Sequence, residues 1–173
     1  MNLLDPILTG FDQVVARTAT AVPFFKIART FQQVIDTSVV GFDNRIAWDT
    51  VIVDNDNLVD LATTPFTARI LEPGLWQFEL YLTGTPPATV GNTMVASIST
   101  GFLGQNFVSV GAQFRSGTNF LRVSHSVSIS AAQIINNGGF DVGAAADFNG
   151  TIGTGIVLVE SAELTGYWIG DPP

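Results

Sequence analysis

Apolar and polar residues alternate with a period of two over most of the chain, the spacing of β-strands with one buried face. The pattern predicts strands from Gly74 to Leu82, Val108 to Phe114, Leu121 to Ile129 and Phe140 to Phe148. Turn signals rich in Gly, Pro and Asn separate the strands at intervals typical of a sandwich or barrel. Between the strands, the sequence has no helical pattern long enough for a βαβ unit. We therefore predict an all-β, antiparallel sandwich.

The first 28 residues follow a different pattern. Large apolar residues recur there at helical spacing, namely Leu3, Leu4, Ile7, Leu8 and Phe11. The segment from Ala19 to Pro23 then has the composition of a linker. We interpret residues 1–28 as an N-terminal docking arm and linker, and residues 29–173 as the head domain. Two interpretations of the arm stay open, because it could cap the sandwich or bind a neighbouring protein.

Charge is scarce and unevenly distributed along the 173 residues. Charged side chains make up 13% of the chain, the formal net charge is −8, and the segment from Leu80 to Phe114 carries none. Interface cores are depleted in charge, so we expect other copies of the chain to cover part of this uncharged surface. The alternative is a monomer with a polar but uncharged surface. The acidity argues against a nucleic-acid partner, and no apolar run is long enough for a membrane span.

His125 is the one histidine, and the chain has no cysteine. The strand pattern places His125 on an apolar face, with Ser124 and Ser126 on the opposite face. A Ser–His pair needs hydrogen-bond contact, so neither neighbour can serve as a nucleophile for this histidine. We interpret His125 as a buried residue or a group at a subunit contact, and we predict a protein that is not an enzyme and has no cofactor.

An acidic segment offers weak candidates for a metal site. Asp54, Asp56 and Asp60 are close in sequence, and dense carboxylates can bind Ca²⁺. The EF-hand spacing is absent, because no Gly and no Glu follow at the required positions. Asp residues also form turns. The turn is the favoured interpretation, so no metal is predicted.

The three tryptophans and two glutamates can also be weighed as structural or functional residues. Trp76 and Trp168 fit strand patterns and are expected in the core, whereas Trp48 could lie in the core or stack on a sugar. Glu160 and Glu163 are expected to face solvent. A glycosidase needs two carboxylates at a defined separation, and the sequence alone cannot establish that separation.

Two segments resemble a known family. The motif Phe66-Thr67-Ala68 is followed by Pro73-Gly74-Leu75-Trp76-Gln77-Phe78, and the chain closes with Glu163 to Ile169. This order resembles the globular head of complement subcomponent q, in the tumour-necrosis-factor-like jelly-roll superfamily. Proline fixes φ in the turn between the two strands, and glycine is free to take a positive φ. The resemblance covers about residues 31 to 170, and no ligand residues are carried over from it.

The resemblance implies a jelly roll of about ten strands that forms a homotrimer, as in bacteriophage virion structural proteins. It implies a non-enzymatic virion protein, such as a capsid decoration, minor capsid or head-fibre protein, whose N-terminal arm binds another virion protein. The alternative is a tail-fibre or minor tail head that recognises a host surface glycan or protein through loops 83–92, 116–119 and 136–139. The residues expected at the trimer contact or in the core are Phe66, Trp76, Phe78, Leu80, His125 and Trp168.

Overall fold

The computed structural model describes residues 22–36, 44–85, 93–100, 106–113, 119–149 and 156–171. These residues form ten strands and one helix. The strands are β1 (Phe24–Arg29), β2 (Gln33–Asp36), β3 (Thr50–Asp54), β4 (Thr67–Ile70), β5 (Gly74–Thr85), β6 (Thr93–Thr100), β7 (Asn106–Gln113), β8 (Asn119–Ile129), β9 (Phe140–Asn149) and β10 (Ile156–Gly170), and the helix is α1 (Ala131–Asn137). The predicted all-β class with about ten strands is confirmed.

The strands form two antiparallel sheets that pack as a sandwich. One sheet has the order β3-β1-β10-β5-β8, with β2 also paired to β10, and the other has the order β4-β9-β6-β7. From β3 onwards, successive strands lie in different sheets, except for the hairpin pair β6 and β7. This alternation between two sheets is the connectivity of a jelly roll.

The core lies between the sheets and follows the alternation in the sequence. On β5, Trp76, Phe78 and Leu80 are fully buried, and the rings of Trp76 and Phe78 stack with centroids 6.0 Å apart. Ile70 and Ile98 of the four-stranded sheet are equally buried. Because burial of large apolar side chains is the main favourable contribution to folding, these positions hold the two sheets together.

Two glycines of the six-stranded sheet permit close approach of a ring to the backbone. The Phe25 ring packs directly on Gly166, its partner across the β1–β10 pair. Gly74 has a φ of +148° at the start of β5, beside the Trp168 indole, whose Nε1 donates to the Pro73 carbonyl at 3.2 Å. The turn predicted at Pro73-Gly74 therefore also supports the closing strand β10.

The first described strand begins within the segment interpreted from the sequence as arm and linker. β1 begins at Phe24 rather than after residue 28 and pairs with β10 along its whole length. Phe25 and Ile27 are completely buried, so this segment belongs to the head. A six-residue strand next to Pro23 gave too short an alternation to separate it from the linker. The proposed arm residues Leu3, Leu4, Ile7, Leu8 and Phe11 lie outside the described residues.

The short helix α1 was not predicted. Ser130 accepts a hydrogen bond from the Gln133 backbone N–H, and the Gln133 side chain accepts one from the Ser130 backbone. This capping box is a recognisable start signal for a helix. Gly138 ends the helix in the left-handed conformation, with φ of +65°. Part of the predicted loop 136–139 is therefore the end of a helix.

The uncharged segment from Leu80 to Phe114 does not form one face. Its first residues complete β5 in the six-stranded sheet, whereas β6 and β7 lie in the four-stranded sheet. The described parts of the segment are therefore divided between the two sheets, and linear charge patterns do not reveal this crossover.

Candidate interaction surface

The six-stranded sheet has one face in the core and one face turned outwards. We call the outward side chains of β1, β5, β8 and β10 the outer face. Its central members are Lys26, Gln77, Glu79, Tyr81, Arg122, Ser124, Ser126, Glu163, Thr165 and Tyr167. Both tyrosines of the chain lie on it.

Hydrogen bonds across β5 and β8 hold the side chains of the outer face in place. The Gln77 amide donates to the Ser124 hydroxyl and accepts from the Ser126 hydroxyl. Arg122 donates to Glu79 at 3.1 Å. These bonds join directly opposed or diagonal cross-strand neighbours, the positions at which side chains of a sheet interact. The outer face is therefore pre-organised.

The aromatic part of the outer face is fixed by the same residues. The Tyr81 hydroxyl donates to Glu79 at 3.1 Å, and the Arg122 guanidinium lies 5.2 Å from the centre of the Tyr81 ring. Burial, and then the hydrogen bond to Glu79, raise the pKa of Tyr81 above its ordinary value of 10.0. Tyr81 therefore stays neutral at physiological pH.

The charges in the centre of the outer face cancel. Lys26 pairs with Glu163 at 2.8 Å, and Arg122 pairs with Glu79 at 3.1 Å. Two cations and two carboxylates give these four residues no net charge, although the whole chain carries −8. A second protein can therefore approach this centre without meeting the repulsion that the rest of the chain exerts on an acidic partner.

His125 lies on the core side of β8, as the alternation predicts. It is half-buried opposite Phe78, and burial lowers its pKa below 6.5 because desolvation disfavours the imidazolium. Ser124 and Ser126 point to the outer face and bind Gln77 there. The adjacent serines are therefore separated from the imidazole by the sheet itself.

The remaining acidic candidates have structural partners. Glu163 is the partner of Lys26, and Glu160 accepts a hydrogen bond from the Thr85 hydroxyl at 2.8 Å. Both lie on β10 and are partly exposed. These contacts join neighbouring strands of one sheet, so both glutamates have a structural role.

The carboxylates of the acidic segment bind their own backbone. Asp54 accepts from the N–H groups of Leu58 and Val59, both at 3.0 Å. Asp60 accepts from two following N–H groups, and hydrogen bonds from Thr63 lower its pKa below 3.8. Among the described residues, no three side chains of the metal-ligating types gather into a possible site. These contacts match the turn interpretation of the segment.

The predicted aromatic residues lie in or beside the core. Trp76 is fully buried and Trp168 is partly buried against the core. Trp48 is 3% exposed, so it cannot stack on a sugar, and its indole Nε1 has no hydrogen-bond partner. Phe66 precedes β4 and is half-buried under the Arg45 guanidinium, 4.3 Å from its ring centre. Trp76, Phe78 and Leu80 therefore serve the core and cannot contact a second subunit.

The three loops proposed for receptor binding are not brought together. Gly84 pairs with Asn119, so loops 83–92 and 116–119 leave the same end of the β5–β8 pair. Gly74 pairs with Ile129 at the other end, from which α1 and residues 136–139 follow. Ten residues of strand separate the ends, or roughly 33 Å at about 3.3 Å per residue. Residues 86–92 and 114–118 lie outside the described residues.

The outer-face pairs were not identified from the sequence. Gln77 and Glu79 are recognisable as the polar positions of β5, but Arg122 lies 43 residues away from Glu79. Their contact depends on the register between β5 and β8, which alternation alone does not fix. As for membrane insertion, the described part of the chain contains no helix with the length and apolar character needed to cross a bilayer.

Comparison with known proteins identifies the fold. No protein-family model matches the sequence, and no curated protein matches it. The globular domain of a zebrafish complement 1qA protein is similar in structure, with a TM-score of 0.57 and 13% identity, over 87% of this chain and 99% of that chain. Eiger TNF from S. frugiperda has a TM-score of 0.51 and 7% identity, over 86% and 94%.

A third similar structure is the PRD1 vertex protein P5. Its TM-score is 0.51 with 10% identity, over 88% of this chain and 75% of that chain. At such low identities the likeness establishes architecture alone. It agrees with the two-sheet connectivity and with the central Pro-Gly-Trp motif. The chain therefore has the jelly-roll fold of the complement 1q and tumour-necrosis-factor-like proteins.

Proposed function

We propose that this chain is a non-enzymatic structural protein of a bacteriophage virion, a homotrimeric jelly-roll head displayed on the particle as a capsid decoration, minor capsid or head-fibre protein. The observation that carries the proposal is its fold, which it has in common with a phage vertex protein over most of its length. Glu160 and Glu163 bind neighbouring strands, and the sheet separates His125 from Ser124 and Ser126. These structural roles favour a binding protein over an enzyme.

The outer face supports self-association. Its central charges cancel, so copies of a −8 chain can meet there without strong repulsion. Tyrosine is enriched at protein interfaces, and both tyrosines of the chain lie on this face. Its side chains are already held by hydrogen bonds, so little rotamer freedom would be lost on association.

Light scattering after size exclusion tests the trimer. We expect the wild-type protein at micromolar concentration to have a mass of about 55 kDa, three times the 18.4 kDa chain. Glu79→Lys places a second cation beside Arg122, leaves three cations and one carboxylate in the centre of the outer face, and should shift the mass towards 18.4 kDa. Glu72→Lys, the same charge change at an exposed position outside the sheet, should remain trimeric. A stable wild-type monomer would contradict the proposal.

The N-terminal segment is the proposed anchor. Its apolar residues Leu3, Ile7 and Phe11 repeat at helical spacing, which suits docking into a groove of another virion protein. Immunogold labelling of purified particles should detect the full chain, and a chain lacking residues 1–21 should still trimerise but fail to be incorporated. Incorporation of the truncated chain at wild-type levels would refute the anchor.

A receptor-binding head on the tail is the second candidate. The pairing of Gly84 with Asn119 brings loops 83–92 and 116–119 to one end of the molecule, where they could form a single recognition surface. Ser116→Arg combined with Thr118→Arg, which adds two long cationic side chains to loop 116–119, should then reduce adsorption of phage to host cells without reducing the amount of the protein in particles. Unchanged adsorption would argue against this candidate.

A further inference from the structure

Strand β3 forms one edge of the six-stranded sheet, and its outer edge pairs with no other described strand. Three consecutive aliphatic residues of β3 are exposed: Val51 at 43%, Ile52 at 46% and Val53 at 41%. The register against β1 shifts between Lys26 and Ile27, so Ile52 is an extra residue in the ladder. The edge therefore combines free main-chain groups with apolar side chains.

Two other edge strands, β8 and β4, carry features that disfavour strand pairing, whereas β7, the far edge of the second sheet, has eight residues without charge. β8, at the opposite edge of the same sheet, carries exposed Arg122, Ser124 and Ser126. β4, an edge of the second sheet, has four residues and exposes Arg69. Charges, short length and bulges are common means of preventing edge pairing. β3 has five residues and a bulge at Ile52, but its centre exposes three aliphatic side chains and carries no charge or proline. This exposed apolar centre, rather than the open edge alone, points to a strand partner.

The residues around β3 indicate which charges an incoming strand would carry. Between Arg45 and Arg69 the chain has four aspartates and no basic residue. Asp56 and Asp60 are exposed in the turn after β3, and Asp54 fixes this turn by binding its backbone. Parallel edge-to-edge pairing of two copies would place the turns after β3 side by side, where their like charges repel. A strand with basic ends would be attracted instead.

We propose that β3 binds an extended segment of another protein, with apolar residues in its centre and Lys or Arg at its ends. The incoming segment extends the six-stranded sheet through main-chain hydrogen bonds and places its apolar side chains on Val51, Ile52 and Val53. The cation at the end that lies beside the turn after β3 meets Asp56 and Asp60. Strand addition of this kind takes affinity from the backbone and specificity from side chains and charge.

Fluorescence anisotropy with a labelled peptide, Arg-Val-Thr-Val-Thr-Val-Arg, tests this site on the full chain. We expect saturable binding that weakens as salt is raised. A peptide with Asp in place of both Arg residues should bind at least tenfold more weakly. The basic peptide with N-methylated valines and threonines cannot form a strand ladder and should not bind. Equal binding of the N-methylated peptide would overturn the proposal.

Matched variants locate the peptide on the protein. Ile52→Ser should weaken binding at least fivefold, whereas Ile169→Ser, at a similarly exposed position on β10, should change it less than twofold. Asp56→Asn combined with Asp60→Asn should remove most of the preference for the basic peptide and preserve folding. Equal effects of the two serine variants, or an unaltered preference, would overturn the site. None of these outcomes depends on the proposed trimer.

Discussion

A single methyl group at Gly166 tests the packing of β1 against β10. A Cβ built at Gly166 lies 2.2 Å from Phe25 Cε1, whereas ordinary contact begins at 3.4 Å, so the ring must withdraw by about 1.2 Å. Phe25 is completely buried and its ring lies 6.4 Å from that of Phe78, so it has little room to move. Overpacking of this kind costs about 1–3 kcal/mol.

The 2.2 Å approach places the clash at the upper end of this range, about 3 kcal/mol, and replacing glycine within a strand returns roughly 0.5–1 kcal/mol. We therefore expect Gly166→Ala to lower the free energy of unfolding by about 2 kcal/mol. For a chain of this size the melting temperature should fall by about 4–8 °C. Urea unfolding followed by tryptophan fluorescence, at fixed protein concentration, measures the change. Gly170→Ala is the control on the same strand, because no atom lies within 4 Å of its built Cβ.

A double-mutant cycle separates the steric clash from other effects of the methyl group. Phe25→Leu alone should cost about 1.5 kcal/mol through lost apolar contact. The double variant should cost less than the sum of the two single variants, by a coupling energy of about 1 kcal/mol, because the smaller side chain leaves space for the methyl group. Additivity within about 0.5 kcal/mol, or equal stability of the Gly166 and Gly170 variants, would refute the reasoning.

Three further variants test other parts of the fold. Gly74→Ala should cost about 3 kcal/mol or more, measured by urea midpoint, because the φ of +148° disfavours alanine and the Trp168 indole lies 2.0 Å from the added carbon. Burial lowers the pKa of His125 below 6.5, so stability should fall as the pH drops below 6.5, and His125→Gln should reduce this slope. Burial alone would raise the pKa of Asp49, but hydrogen bonds, the one from the Thr50 hydroxyl first, together lower it by more. The net pKa therefore lies below 3.8. Stability from Asp49 is therefore present above pH 3.8 and lost as the pH falls through the lowered pKa, and Asp49→Asn should lose less between pH 5 and pH 3 than the wild type.

The long strands could be predicted from the sequence because their alternation is complete. β5 and β8 bury every second residue over most of their lengths, so period two fixes both the element and the buried face. β3 offered no such signal, because its three aliphatic residues are all exposed around a register shift. A bulge at an edge breaks the pattern on which strand prediction depends.

The contacts of the outer face required the three-dimensional register. Lys26 and Glu163 stand 137 positions apart, and their ion pair exists because β1 and β10 lie side by side. Local patterns also could not show that the chain crosses between sheets after β5 and divides the uncharged segment. The nature of the long strands was thus encoded locally, whereas the charge of each surface depended on topology.

The positions of the few charges distinguish two surfaces of the molecule. Opposite charges cancel in the centre of the outer face, whereas four aspartates without a basic residue lie between Arg45 and Arg69. A neutral face suits contact with copies of an acidic chain, and an acidic, apolar edge suits a basic partner. If the two surfaces act independently, Glu79→Lys should abolish the proposed trimer and change peptide affinity less than twofold. Ile52→Ser should weaken peptide binding at least fivefold and leave the proposed trimer intact. Loss of both functions in either variant would show that the two proposed surfaces are one.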